Sequence, residues 1–369
     1  MFVNTETTGV ARRYWNQHTQ SLVPYVPGEQ PRERSFIKLN TNENPYPPSP
    51  AVEEALRATN PATLSLYPDP TCRGVRRAIA AEYGLSVESV FMGNGSDEVL
   101  AIAYQTFFEN TSMGGASILF PDVTYSFYPV YARMYDVPFE TPALGVDFEL
   151  KTEDYLRESG GVVLANPNAP TGLSLSVREI ERIVAFDMSR VVIVDEAYAD
   201  FDDQSAISLI SGYPNLLVTR TFSKSYSLAG LRVGFALGHP ELIEGLCRVR
   251  DSFNSYTVGT VAQTVATAAI KDQTYFERRR AQIIDTREST ARFLSDLGCV
   301  LTRSKANFLW LRVPGFDGRQ IYDALRKEGI LVRHFASPKI DQYVRITVGT
   351  AEQMVVLMEK IERMIKDGS

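Results

Sequence analysis

Residues 219–234 read TRTFSKSYSLAGLRVG: a lysine set among hydroxyl side chains directly after an apolar strand, with an arginine eight positions further on. A lysine picked blindly is a solvated surface charge. Here Ser223 and Arg232 are natural anion ligands, and a cationic neighbour favours the neutral, nucleophilic form of the Lys224 amine. A second stretch, VVIVDEAYADF at 191–201, is apolar for four residues and then runs into Asp195 and Glu196. At least one of these carboxylates sits near the end of a buried strand, where an unpaired charge costs several kcal/mol. It therefore needs a partner, which is either a structural cation or a cationic nitrogen on a ligand. Tyr198, three residues on, can present its hydroxyl to the same space. In MGNGSDEVL at 92–100 a glycine-flanked turn feeds a helix with Ser96 or Asp97 at its start. Free N–H groups and the positive helix end make such a turn an anion site. In ANPNAPTG at 165–172 two prolines and a glycine fix a turn, and Asn166 and Asn168 offer amides at a strand's carboxyl end. Taken singly, these loops are also compatible with a capped helix, a tight turn and an ordinary ion pair. Together, a nucleophilic amine, an anion cradle and a buried carboxylate describe what pyridoxal phosphate requires of a protein.

The elements that must position these loops follow from the pattern around them. SVFMG, ASILF, GVVLANP, RVVIVDEAY, NLLVTRTFS and RVGFALG are short β-rich runs, separated by helical spacing in stretches such as CRGVRRAIAAEYG, SVREIERIVAF and PELIEGLCRVRDSF. Strands apolar throughout and alternating with helices predict an α/β fold with a mostly parallel central sheet and helices on both faces. Such sheets bind ligands beyond the carboxyl ends of their strands. After a long helical region, CVLTRSKANFLWLRV, GRQIYDALRKEGILVRHF and YVRITVGTAEQMVVLMEKIERMI predict a smaller α+β C-terminal domain. The proline-rich start (VPYVPGEQP, NTNENPYPPSP) predicts an extended N-terminal arm. Its interleaved Tyr25, Phe36, Ile37, Leu39 and Tyr46 favour a strap over another lobe or subunit. The expected divisions are 1–49 for the arm and part of the small domain, 50–274 for the large domain and 275–369 for the small domain.

Composition narrows the function classes. The 369 residues carry a formal net charge of -6, without the basic excess of a nucleic-acid binder. Cys72, Cys247 and Cys299 are far apart and in no CxxC spacing, which argues against a disulfide framework or a zinc site and for a reducing cytoplasm. His18, His239 and His334 form no HExxH, so no metal is expected. The N-terminal MFVNTETTGVARRYWNQ lacks a leader's apolar core, and no run approaches the roughly 18 apolar residues of a membrane span.

GSDE, NPNAPTG, DEAY and TFSKSYSLAGLRVG occur in the order and spacing of the fold-type I pyridoxal-phosphate aminotransferases of class I/II, and the chain resembles that family over nearly its whole length. More narrowly, PYVPG, LNTNENPYPPSP, LYPDP, VTYSFYPVYA and YVRITVGT resemble the histidinol-phosphate aminotransferases. The resemblance implies the fold-type I PLP-transferase fold, with pyridoxal 5'-phosphate attached to Lys224. Asp195 would keep the pyridine nitrogen protonated, Tyr198 and Asn168 would bond the phenolic oxygen, and Tyr125 would stack on the ring. Ser96, Asp97, Ser223 and Arg232 would surround the phosphate, with Tyr67 reaching it from the neighbouring subunit of a homodimer with shared active sites. Arg333 and Arg345 match the family's anion-binding arginines. Asn42 would join them at the substrate, as would Tyr25 from the other subunit's arm. The implied reaction is transamination between histidinol phosphate and a 2-oxo acid, typically 2-oxoglutarate. Aromatic amino acid aminotransferases and phosphothreonine decarboxylases share these features. A non-catalytic regulator would normally add a DNA-binding domain. Between the two arginines, RHFASPKIDQ departs from the family's polar loop.

Overall fold

The computed structural model describes residues 14–31 and 36–367; the reading of residues 1–13 as part of a leaderless arm lies outside them. Seven strands build the main sheet: β1 (Val90–Gly93), β2 (Ile118–Leu119), β3 (Phe139–Glu140), β4 (Gly161–Ala165), β5 (Val192–Asp195), β6 (Leu216–Thr221) and β7 (Gly234–Gly238). Their order across the sheet is β1-β7-β6-β5-β4-β2-β3. Only β7 runs antiparallel to its neighbours, so the sheet is mixed and mostly parallel, as the unbroken apolar runs predict. Alternation along each strand explains why those runs are apolar on both sides. Leu164, Val194 and Val218 face one buried cluster with Val75 and Ile79 from helix Arg73–Tyr83. Val163, Ile193 and Leu217 face another with Val99 and Ile102 from helix Ser96–Phe107. Burying each such side chain contributes about 1.5–3 kcal/mol relative to exposure.

Register fixes where the loops emerge. Ala165 pairs with Asp195 and Asp195 with Thr219, while Gly234 pairs with Gly93 on one side and Thr221 on the other. The four loops singled out above therefore leave one rim of the sheet. A Cβ at Gly234 would lie 2.4 Å from the Ser96 nitrogen, so the bare Cα is what lets the 94–96 turn fold down over β7.

A second, antiparallel sheet follows: β8 (Val300–Leu301), β9 (Phe308–Arg312), β10 (Arg333–His334) and β11 (Val344–Thr347), ordered β10-β11-β9-β8. Helices Gly318–Lys327, begun by an Asp317–Gln320 capping box, and Ala351–Asp367 bury Ile321, Leu325, Leu357 and Ile361 against it. The arm's Ile37–Lys38 pairs in parallel with Ile330–Leu331 and so joins this lobe. The expected division at 274–275 falls in the first turn of helix Gln273–Asp296. That helix places Phe276 in the core of the large lobe and Leu294 in that of the small one, so a rigid helix rather than a loop carries the chain across. The 166–172 turn ties the lobes a second time: Gly172 O accepts from Lys305 N at 2.7 Å, and Thr171 O accepts from the Thr302 hydroxyl.

Candidate active site

A cavity of about 330 Å³ opens between the rim of the main sheet, the small lobe and the arm. Lys224, Asp195, Tyr198, Ser96, Asp97, Tyr125, Ser223, Arg232, Tyr25, Asn42, Arg333 and Arg345 all line it. Chain-distant residues with chemical potential thus share one space.

Asp195 forms its floor. The residue is 4% exposed, and its carboxylate accepts from Tyr128 Oη at 3.0 Å, Thr219 Oγ1 at 3.1 Å and the Ala197 N–H at 3.3 Å. None of these donors carries a charge. Burial pushes the carboxyl up to about 6, against the pull of those hydrogen bonds. The structural cation goes instead to the adjacent Glu196, which Arg220 meets at 2.7 Å behind the sheet rim, both side chains nearly inaccessible. Arg220 also pairs with Asp200, and Asp200 accepts from the Ser225 hydroxyl. The sequence left open which carboxylate takes a structural cation; strand alternation sends the two to opposite sides.

Lys224 approaches the same floor from the β6 loop. Its Nζ donates to Thr41 O at 3.3 Å and lies 5.7 Å from the Tyr198 ring centre. Asn44 Nδ2 donates to the carbonyls of Lys224 and Ser225, each at 3.0 Å, and holds the loop in place. Tyr198 Oη accepts from Asn42 Nδ2 at 2.9 Å. Asn42 is itself braced by Thr347, whose hydroxyl accepts from the Asn42 N–H at 2.9 Å and donates to Asn42 Oδ1 at 3.1 Å.

One wall is built for an anion. Helix Ser96–Phe107 starts at the cavity, and its first N–H groups lack intrahelical carbonyls. The preceding Gly95 has φ +86°, and a Cβ there would sit 2.5 Å from an Arg232 guanidinium nitrogen. Glycine thereby lets arginine lie across the helix start. Arg232 reaches Ser223 Oγ at 3.5 Å and Asp97 at 3.0 Å. The Asp97 carboxylate also accepts from Tyr125 Oη at 2.7 Å. Its side chain orients the arginine and the tyrosine, leaving its N–H as the group that suits an anion.

Opposite lie the two remaining arginines. Arg345 donates to Asn40 O at 3.2 Å, and its buried Nε has no partner among the described residues. Burial lowers the guanidinium from the ordinary arginine value, and the neighbouring Arg333 adds to this. Arg333 donates to Val26 O at 3.0 Å and Pro27 O at 3.4 Å.

Tyr25, Asn168 and Tyr67 lie differently about the cavity. Tyr25 lines this chain's own cavity and packs on Phe127 with ring centres 4.4 Å apart. Glu29, bound by Arg326 and Tyr322, fixes the strap to its own small lobe. Asn168 does not line the cavity. Its NH2 donates to Val123 O and Thr171 Oγ1 and its carbonyl accepts from Thr124, which holds the turn. Tyr67 is 80% exposed and stacks on Tyr256 at 4.5 Å, away from this chain's cavity. Tyr128, Thr219 and Asn44 escaped notice in the sequence. Only Thr219 left a signal, as the polar residue opposite a strand-end aspartate.

A family model described as aminotransferase class I and II matches residues 34–361. The histidinol-phosphate aminotransferase of Clostridium acetobutylicum is 48% identical over 353 residues, 96% of this chain and 99% of that one. Histidinol-phosphate aminotransferase 1 of Methylococcus capsulatus is 50% identical over 352 residues, 95% and 98% of the two chains. Among solved structures, the histidinol-phosphate aminotransferase of Sinorhizobium meliloti in complex with pyridoxal-5'-phosphate aligns with TM-score 0.85 and 25% identity over 97% of this chain and 99% of that one.

Proposed function

The chain belongs to the class I and II aminotransferase family, and from that premise we propose that it is a cytoplasmic, pyridoxal-phosphate-dependent transaminase of histidine biosynthesis, passing the amino group of histidinol phosphate to 2-oxoglutarate. The observation that carries this reading is that the Lys224 amine and a buried Asp195, without a cationic partner among the described residues, face one cavity. The donor set fits the cofactor: an amine for covalent attachment, an anionic floor with room for a protonated ring nitrogen, and a cup of Ser96, Ser223, Arg232 and helix N–H groups for a phosphate. When bound, pyridoxal phosphate supplies a carbonyl carbon for amines and a ring that takes up the electron pair left at the substrate's Cα.

Everything else is the work of the side chains. Asp195 holds the proton of the ring nitrogen, and its cost of ionisation in isolation is offset by that cation. Tyr198 presents its hydroxyl, oriented by Asn42, to the ring's phenolic oxygen. Tyr125, fixed by Asp97, covers the ring. Lys224 Nζ would serve as the base that takes the Cα proton of the amino substrate. Arg345 and Arg333 bind the donor's phosphate and the acceptor's carboxylates, for which planar guanidinium groups are suited. Tyr67, exposed on the surface, reaches the phosphate cup of a second copy in a homodimer. We take 50–274 and 275–369 as the two domains that flank this site, with 1–49 as the arm, of which 14–31 and 36–49 are described.

The test is a single-turnover mixing experiment in which holoenzyme meets histidinol phosphate or phenylalanine while its visible absorbance is followed. Conversion faster by about a hundredfold or more with histidinol phosphate is expected, the scale of one buried charge-assisted contact. Faster conversion with phenylalanine would assign the protein to aromatic amino acids.

A further inference from the structure

Arg333 and Arg345 are direct partners across the antiparallel β10–β11 pair. Like charges directly opposite on a sheet repel. Neither forms an ion pair among the described residues, and the hydrogen bonds they make go to backbone carbonyls. Something other than a carboxylate must hold two guanidinium groups together before any substrate arrives.

That role falls to a ring in the RHFASPKIDQ segment. Phe335 lies just beyond β10, two residues after Arg333 and so on the same side of the chain. Its ring centre is 5.3 Å from the Arg333 Cζ and 5.6 Å from the Arg345 Cζ. Phe308 covers Arg345 as a second ring at 5.3 Å and meets Tyr198 edge-on at 5.1 Å. Behind Phe335, the fully buried Trp310 stands at 5.9 Å and stacks on Tyr343. The ring itself is not part of the cavity wall. Aromatic faces attract guanidinium groups within about 6 Å of the centroid, and a fixed ring removes rotamer freedom that the arginines would otherwise lose on binding.

We propose that Phe335 is a positioning residue for the anion site: its ring holds Arg333 and Arg345 side by side facing the cavity, and thereby sets affinity for the phosphate-bearing substrate. This rests on the reading of the two arginines as the anion site. The probe is inorganic phosphate, measured as a competitive inhibitor against the amino donor in holoenzyme, where the cup at Arg232 is filled by the cofactor's own phosphate. Phe335→Leu keeps apolar volume and removes the π face. It is expected to raise the phosphate inhibition constant about fivefold to thirtyfold while the single-turnover rate at saturating donor stays within about twofold of the wild type. Phe335→Tyr restores the ring and is expected to restore the constant. An unchanged constant in Phe335→Leu, or a Phe335→Tyr variant as weak as the leucine, overturns the proposal. So does a loss of rate and affinity in step, the mark of a merely structural residue. Arg345→Met run in parallel separates the two levels: if it abolishes phosphate competition while Phe335→Leu does not, only the role of Phe335 fails. If phosphate competes equally with Arg345→Met and wild type, the anion-site reading fails first.

Discussion

Replacing Asp195 with asparagine should make the cofactor-free protein more stable and the enzyme nearly inactive. The carboxyl is pushed up to about 6 by burial, against about 3.9 in an unfolded chain. A carboxyl raised in the folded state binds more protons folded than unfolded, so stability falls as pH rises through the window between the two values. The difference of about 2 units corresponds to roughly 3 kcal/mol lost by pH 7. Asparagine is nearly isosteric and does not ionise; its carbonyl oxygen takes the Oδ1 place and accepts from Thr219 and the Ala197 N–H, while its NH2 takes the Oδ2 place and donates to the Tyr128 hydroxyl, which can reverse its role. Asp195→Asn apoprotein should therefore melt about 4 °C above wild type at pH 7, taking roughly 2.1 cal/mol/K of unfolding entropy per residue. The gap should close as pH is lowered through the window toward 4. With cofactor bound the order reverses, because only the carboxylate can pair with a cationic ring nitrogen. Truncating one side of a buried charge pair costs about 2–5 kcal/mol, so turnover should fall by about 30-fold to several thousandfold. The assay is a set of melting curves for both proteins, with and without pyridoxal phosphate, from pH 4 to 8. An apo variant less stable than wild type at pH 7, or a gap independent of pH, would refute the assignment of Asp195 as a strained carboxylate awaiting a cation.

Lys224→Ala should lower turnover by about 10⁴-fold, the upper range for a positioned general base, and abolish the visible absorbance of the covalently held cofactor; measurable full activity would remove Lys224 from the chemistry. Arg220→Met should destabilise the protein by about 3–5 kcal/mol, since it leaves the Glu196 carboxylate buried without its cation. Thermal denaturation of the holoenzyme checks this, and a loss below about 1 kcal/mol would show that Asp200 and Glu196 find other partners.

The fold was legible where burial is two-sided. GVVLA, VVIVD and LLVTRT can only be strands covered on both faces, and their order with intervening helices prescribes the parallel sheet. The helix at Tyr128–Met134 and the two-residue strand at Phe139–Glu140 were not legible, because the aromatic residues and the proline of FYPVYARMY mask a short helix. The residues of the site could be found from strand ends, since register alone brings Asp195, Thr219 and Thr221 to one rim. Their partners could not. The amide of Asn168 donates to Val123 O, and the strap that bears Tyr25 is fixed by Glu29 docking nearly 300 residues away in sequence on Arg326. Both are tertiary choices with no local pattern.

The pair Asp195-Glu196 shows why the strained site can persist. Two carboxylates end one buried strand, and alternation turns one to each side. On the far side Glu196 meets Arg220, Ser205 and the Ala206 N–H, a fully satisfied network that also binds Asp200 and, through it, Ser225 beside Lys224. On the near side Asp195 meets only neutral donors. The strand end is therefore anchored by the residue that performs no chemistry, and the anchor reaches the loop that carries the lysine. Were Asp195 given its own arginine, the carboxyl would be stable and useless to a ring nitrogen. Because the cation is supplied behind it instead, the rim stays rigid while the charge facing the cavity remains unpaired until a cationic ligand arrives.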